Sequence, residues 1–300
     1  MGTLREEKAI RLAIVTSVLG AGVKLGVGLS TGSMAMVSSA ADSIGDIIIS
    51  VANLFVVRLS DEEPDEEHNY GHAKIEGLGA MFEGGFIGAA GGFVLYSAIA
   101  ALVEGRHAPP SDLAILTMLP VLAMTLGTVG YMRKVARETG SLVVKADAVH
   151  YESDVWMNLG VLVSLVAVKL TGRPELDAIV SVGIAAWMLR ASVQVVREGF
   201  DVVMDRSLPA EQVTALRAMV AAAPGVRSFH DFRTRGGKVP HVDVHVVVHP
   251  AMTAQALHDL HLHVLAEARR IVGPSTRVLL HADPEGDEDH AGDDIGGVDV

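Results

Sequence analysis

Hydrophobic positions over the first 200 residues gather into long stretches rather than stripes. They occupy about 9–29, 34–57, 78–101, 112–131, 143–169 and 176–196. Each is close to the roughly twenty residues needed to cross the hydrocarbon of a bilayer. A soluble amphipathic helix would show a broad polar face at helical period. Segments 84–103 and 155–168 have almost no polar face beyond glycine and serine. The pattern therefore predicts six membrane-spanning helices rather than a soluble helical core. The first stretch continues at membrane length and others follow it, so it is expected to be a retained span, not a cleaved signal.

From about 207 the texture changes. Residues 207–226, SLPAEQVTALRAMVAAAPGV, read as a capped helix with Ser207 and Pro209 near its start. Residues 226–234 and the valine-rich alternation PHVDVHVVVH at 240–249 read as strands. A helix of apolar period and the strand STRVLLHAD follow. The order α-β-β-α-β predicts a small two-layer α+β domain. Three regions result: a transmembrane domain over 1–206, a soluble domain over 207–285, and an acidic tail over 286–300. The tail, rich in Asp, Glu and Gly, is expected to be disordered.

Lys and Arg set the expected orientation. Arg5, Lys8 and Arg11 precede or open the first span; Arg58 and Lys74 flank the 58–77 loop; Arg133, Lys134 and Arg137 fill the 132–142 loop. Arg197 and Arg206 follow the sixth span, whereas the opposite side has Arg106, Lys169 and Arg173. The excess places both termini in the cytoplasm of a multi-pass inner (plasma) membrane protein.

Composition supports this picture: 50% of residues are hydrophobic, 20% are charged, and there are 31 glycines, which membrane helices use for close packing. A net charge of -12 argues against a nucleic-acid partner. The absence of cysteine excludes disulfides and thiolate metal sites. Any metal must be held by the 13 histidines and the carboxylates.

The charges that interrupt the apolar stretches carry the chemistry. Lys24 lies in the first span, Glu83 early in the third, and Arg190 and Arg197 at the end of the sixth. Asp42 and Asp46 are four apart in the second span, and His150 and Asp154 repeat that spacing in the fifth. Residues four apart share one helical face. Paired carboxylates at membrane depth are tolerable where a cation or protons bind. Three carboxylates and an imidazole suit tetrahedral zinc, with cadmium a near substitute, better than magnesium or calcium. Interhelical hydrogen bonding would explain one such residue, not two matched pairs. Asp147 and Glu152 fall on other faces, near the membrane surface, and are not assigned as ligands. Proton competition at this site would allow metal to leave in exchange for protons.

The motifs ADSIGD at 41–46 and ADAVHYESD at 146–154 resemble the signatures of the cation diffusion facilitator family, in its bacterial zinc, cadmium and iron efflux type. The resemblance extends over roughly 8–285 and implies a homodimer that exchanges divalent cations for protons by alternating access. It implies a cytoplasmic domain of metallochaperone-like fold and no enzymatic activity. It also implies a loop metal site at Asp65, His68 and His72, which lie in DEEHNYGHAKIE at 65–76. Two metals bridging the dimer would be bound by His230, His245, His258, His281 and Asp283, with Asp231 supporting a ligand. An ion pair between Lys74 and Asp205 would tether the two domains. Zn2+ is the expected cargo and regulator, with Cd2+ or Fe2+ as further substrates.

Other readings are an iron(II) or manganese transporter of a specialised compartment and a membrane-anchored metal sensor. Manganese-selective relatives tend to carry aspartate where this chain has His150. A sensor has no need of an ion site at bilayer depth. A metal-dependent hydrolase would need a further general base beside the Asp42 cluster, and the sequence offers none.

Overall fold

The computed structural model describes residues 2–31, 34–104, 112–173 and 175–286. The acidic tail from 287 onward and Arg106 lie outside the described residues. The chain divides into two compact units, with the division between Val203 and Met204.

The first unit is six long helices: α1 (Gly2–Thr31), α2 (Met34–Ser60), α3 (Ile75–Glu104), α4 (Asp112–Thr139), α5 (Leu142–Thr171) and α6 (Glu175–Val203). Thirty residues of helix reach about 45 Å, more than a hydrocarbon core. Stretches of α1, α2, α3 and α6 are apolar enough to cross a membrane on length and composition alone. Helices α4 and α5 are as long, and α5 carries Lys145, Asp147, Glu152 and Asp154 in its first half. The chain thus has a multi-pass helical membrane domain. Large apolar side chains such as Leu29, Phe55, Phe93, Val103 and Leu170 point outward, as a surface solvated by lipid requires.

Two packing modes build this unit. Helices α1, α2, α4 and α5 meet through Ile10, Val57, Met132, Val143, Val144 and Tyr151, all buried. Helices α3 and α6 meet through glycine. A Cβ on Gly77 would lie 2.8 Å from the Gly199 carbonyl oxygen, and one on Gly199 would lie 2.5 Å from that of Gly77. Ser192 Oγ donates to Gly84 O at 2.7 Å one stage further along. Small residues let membrane helices approach until backbones touch. Glu76 then fastens α3 to its neighbours: its carboxylate accepts from Ser60 Oγ at 3.1 Å and from Leu142 N at 3.0 Å. It thereby satisfies an amide at the start of α5, where Ser141 is the N-cap.

The second unit is α7 (Ala210–Ala221), β1 (Val226–Arg235), β2 (His241–Val248), α8 (Ala254–Ile271) and β3 (Arg277–Pro284). The sheet order is β1-β2-β3, with β1 antiparallel and β3 parallel to β2. Strand β2 alternates strictly, burying Val242, Val244, Val246 and Val248. Leu260, Val264 and Ala268, four apart along α8, and Leu216 and Val220 of α7 complete the cores on that face. The other face carries His241, Asp243 and His245. Helix α7 begins beside Ser207 and Pro209 as expected: Pro209 is its N-cap, with no side-chain bond, while Ser207 Oγ pairs with Thr234 Oγ1 at 2.7 Å. Proline suits that position because the first amides of a helix have no partner within it.

Candidate metal centres

Helical spacing brings three of the four expected membrane residues together. One ligand atom each from Asp46, His150 and Asp154 lies within 4.8 Å of the others. His150 Nε2 is 3.0 Å from Asp46 Oδ1, and both side chains are well shielded. A cavity of about 90 Å³ adjoins them, walled by Thr16, Ser17, Lys24, Asp42, Asp46, Tyr151 and Asp154 among others. Asp42 lines this cavity one turn from Asp46 but is exposed and outside the three-residue cluster.

Two features here were not anticipated. Lys24 reaches into the cavity wall, where its Nζ donates to Ser43 Oγ at 2.9 Å and Ser39 O at 3.4 Å. Asp147 is fully buried among the helices. It accepts from Ser50 Oγ at 3.2 Å, Ser50 meets Tyr151 Oη at 3.0 Å, and Tyr151 meets Ser17 Oγ at 2.7 Å. Its carboxyl is within hydrogen-bonding reach of Glu83, equally buried, which accepts from Asn53 Nδ2 at 3.0 Å. The helix face that points Asp147 away from the metal cluster aims it inward at α3. Glu152, by contrast, turns outward to Arg133. An ionisable residue inside a span marks a functional position by default, and Glu83 met that criterion in the sequence.

The 61–74 loop gathers Asp65, His68 and His72 with ligand atoms within 4.8 Å. Asp65 Oδ1 accepts from His68 N at 2.5 Å and from Glu67 N at 2.9 Å. Those bonds, His68 first, hold its carboxyl below the ordinary 3.8, so it is ionised and ready for a cation. His68 Nδ1 and His72 Nε2 lie 3.3 and 3.4 Å from its two oxygens.

On the cytoplasmic sheet, strand register does the gathering. His230 pairs with His245 across β1–β2, and His245 with His281 across β2–β3. One row of imidazoles therefore crosses all three strands. Asp283, two residues beyond His281 and nearly buried, lies 3.2 Å from His230 Nε2, 3.4 Å from His245 Nδ1 and 3.2 Å from His281 Nε2. A register shift between His230 and Arg233 brings His230 into the row, with Asp231 in the left-handed region at φ 47°. A bulge of this kind re-aims side chains. Asp231 Oδ2 is 3.9 Å from His245 Nε2, and its other oxygen holds Arg233 at 2.6 Å. His258, exposed on α8, joins none of these groups. His230, His245 and Asp283 each bring one ligand atom within 4.8 Å of the others, a donor set that fits zinc, while His281 meets the other oxygen of Asp283 and lies outside that group.

Two matches to known proteins cover nearly the whole chain. The pattern described as the cation efflux transmembrane domain matches residues 10–204, and the cation efflux protein cytoplasmic domain matches 208–285. The chain belongs to the cation diffusion facilitator family. Among its relatives, the cation-efflux pump FieF of Cronobacter sakazakii is 33% identical over 284 residues, 94% of each chain. That of Klebsiella pneumoniae is 34% identical over 256 residues, 85% of this chain and 84% of its own. A solved zinc-form structure of CzrB aligns with 28% of this chain and 97% of its own at 26% identity, but a TM-score of 0.25 supports no inference. As a member of this family the protein is a divalent cation efflux transporter, embedded in the membrane as a homodimer, with a cytoplasmic α/β domain and no catalytic activity. Metal-binding clusters are present in both of its units.

Proposed function

We propose that all six helices span the inner membrane with both termini cytoplasmic, and that the protein exports zinc in exchange for protons by alternating access. Asp42, Asp46, His150 and Asp154 bind the ion in transit. The observation that carries this reading is the convergence of Asp46, His150 and Asp154 within 4.8 Å inside the helical unit, beside a cavity that Asp42 also lines. Asp42 is one helical turn along the same wall, so a small helix or side-chain adjustment separates a three-ligand from a four-ligand state. Protons compete with metal for the same oxygen and nitrogen atoms, which couples release of one to binding of the other. Lys24 lies in the same wall, hydrogen-bonded to Ser43 and Ser39.

The imidazole favours zinc or cadmium over manganese. Iron(II), which imidazole also suits, is the second substrate reading. His230, His245, His281 and Asp283, with His258, would hold regulatory zinc at the dimer interface, and Asp65, His68 and His72 would hold a weaker ion completed by water. By family resemblance Lys74 and Asp205 form an ion pair. Lys74 Nζ also donates to Val203 O at 3.3 Å, and Asp205 also accepts from Arg235 at 3.4 Å.

Proteoliposome flux of zinc, cadmium, iron(II) and manganese tests this assignment. Zinc flux driven by an imposed pH gradient is expected in the wild type and should be lost in Asp154→Ala. Undiminished flux in that variant removes the transport site, and flux indifferent to the gradient removes the proton coupling. His150→Asp should admit manganese, and unchanged selectivity would remove the reason for preferring zinc.

A further inference from the structure

The geometry points to a binding site for one anionic phospholipid on the face where α4, α5 and α6 meet. A cavity of about 720 Å³ opens there, with Arg133, Arg137, Lys145 and Arg190 in its lining. Two of these cations are already neutralised: Arg133 by Glu152, and Lys145 by Glu198 at 2.5 Å. Arg137 Nε donates to the Arg133 carbonyl at 3.2 Å. Among the described residues no carboxylate pairs with Arg137 or Arg190. The cavity is thus left with two uncompensated guanidiniums, groups whose planar fork matches a phosphate.

The same opening continues into an apolar groove. Trp187 belongs both to the basic cavity and to a second cavity of about 330 Å³ between α5 and α6, lined by Trp156, Leu159, Val163, Val180 and Ile184. Gly183 has no neighbour within 4 Å of where a Cβ would stand, so the groove is open at that point, while Ile184 packs close over Gly160. A basic chamber joined to an apolar channel matches a molecule with an anionic head and a hydrocarbon chain. Free phosphate would fill only the first part, and a neutral lipid would leave the arginines without a counter-charge. Arg133 and Arg137 sit at the end that the Lys/Arg excess places in the cytoplasm, where anionic lipids concentrate. This location rests on the proposed orientation of the chain.

Trp156 and Trp187 are the only tryptophans of the chain, and their rings lie 6.0 Å apart in this groove. Brominated acyl chains quench tryptophan on contact, so intrinsic fluorescence reads the groove directly. The full-length protein would be reconstituted in phosphatidylcholine containing a small fraction of brominated phosphatidylglycerol or, separately, brominated phosphatidylcholine. Quenching roughly twofold deeper for the anionic lipid is expected. Arg137→Gln/Arg190→Gln should abolish that difference, while Arg137→Lys/Arg190→Lys should retain most of it. Lys8→Gln/Lys134→Gln removes the same charge from exposed positions outside the cavity and should retain it fully. Equal quenching by both lipids in the wild type overturns the proposal. So does a preference surviving in the double glutamine variant, or quenching by neither lipid, which would place a second copy of the chain over the groove. Zinc flux, measured in parallel, is independent of this outcome: an inactive wild type would count against the transport reading and not against the lipid site.

Discussion

The membrane cluster and the cytoplasmic cluster use the same side chains and hold them in opposite ways. On the sheet, His230, His245 and His281 are fixed by strand register, and a single carboxylate, Asp283, touches all three. Moving the backbone at any one of these positions would require breaking ladder hydrogen bonds. In the membrane, Asp46, His150 and Asp154 come from two helices whose own hydrogen bonds are internal. Those helices can tilt or shift without losing a backbone bond. Under the proposed roles, the site that must release its ion is built where relative motion is cheap, and the site that reports or stabilises is built where it is not.

The largest test of that contrast removes a ligand from each. Asp46→Ala should reduce zinc flux by more than about a hundredfold, since losing even an outer-shell partner costs up to that much in metal affinity or activity. Asp283→Asn should leave flux measurable, because it disables the rigid cluster and not the path. Its effect should appear as lost zinc-dependent stabilisation, about 2.7 kcal/mol at a hundredfold excess over Kd, read by thermal unfolding with and without zinc. Equal loss of flux in the two variants would erase the proposed division of labour. Gly77→Ala places a methyl 2.8 Å from the Gly199 carbonyl and should destabilise the membrane unit by about 1–3 kcal/mol. Unchanged thermal stability in detergent would mean the helix pair can spread without cost.

The smallest expected effect is one of pH on the cytoplasmic unit. His241 donates from Nδ1 to the Val239 carbonyl at 2.9 Å. Burial, reinforced by Arg235, lowers its titration below the ordinary 6.5. The unfolded chain therefore binds this proton more readily than the folded one, and stability falls as pH drops from about 6.5 toward the lowered value. His241→Asn should flatten that part of the pH–stability curve, and a curve of unchanged slope would show that another group sets it.

Much of this contrast was legible in the sequence because periodicity encodes a single element well. The apolar stretches located six helices, and four-residue spacing put Asp42 with Asp46 and His150 with Asp154. Helix ends were less legible: α4 runs to Thr139 rather than 131 and α6 to Val203 rather than 196. Apolarity marks the membrane, whereas Arg133, Lys134 and Glu198 are good helix formers that continue beyond it. Contacts between elements were not legible. Nothing in the spacing of Asn53, Glu83 and Asp147 shows that three helices turn them toward one another. Nor could strand alternation reveal the shift after His230 that completes the imidazole row.

The glycine crossing of α3 and α6 limits how an ion can be carried. With Val202 and Val203 already 3.1–3.2 Å from a Cβ on Gly77, sliding α6 by one residue rise, about 1.5 Å, would drive a branched side chain into bare backbone. The two helices therefore act as a keel: they can rock together but not shear. If access alternates as proposed, the change falls at the seams between this keel and the other four helices. Those seams are where Glu76 meets Leu142 and Glu83 meets Asn53, so a hinge placed there would be lined with carboxylates.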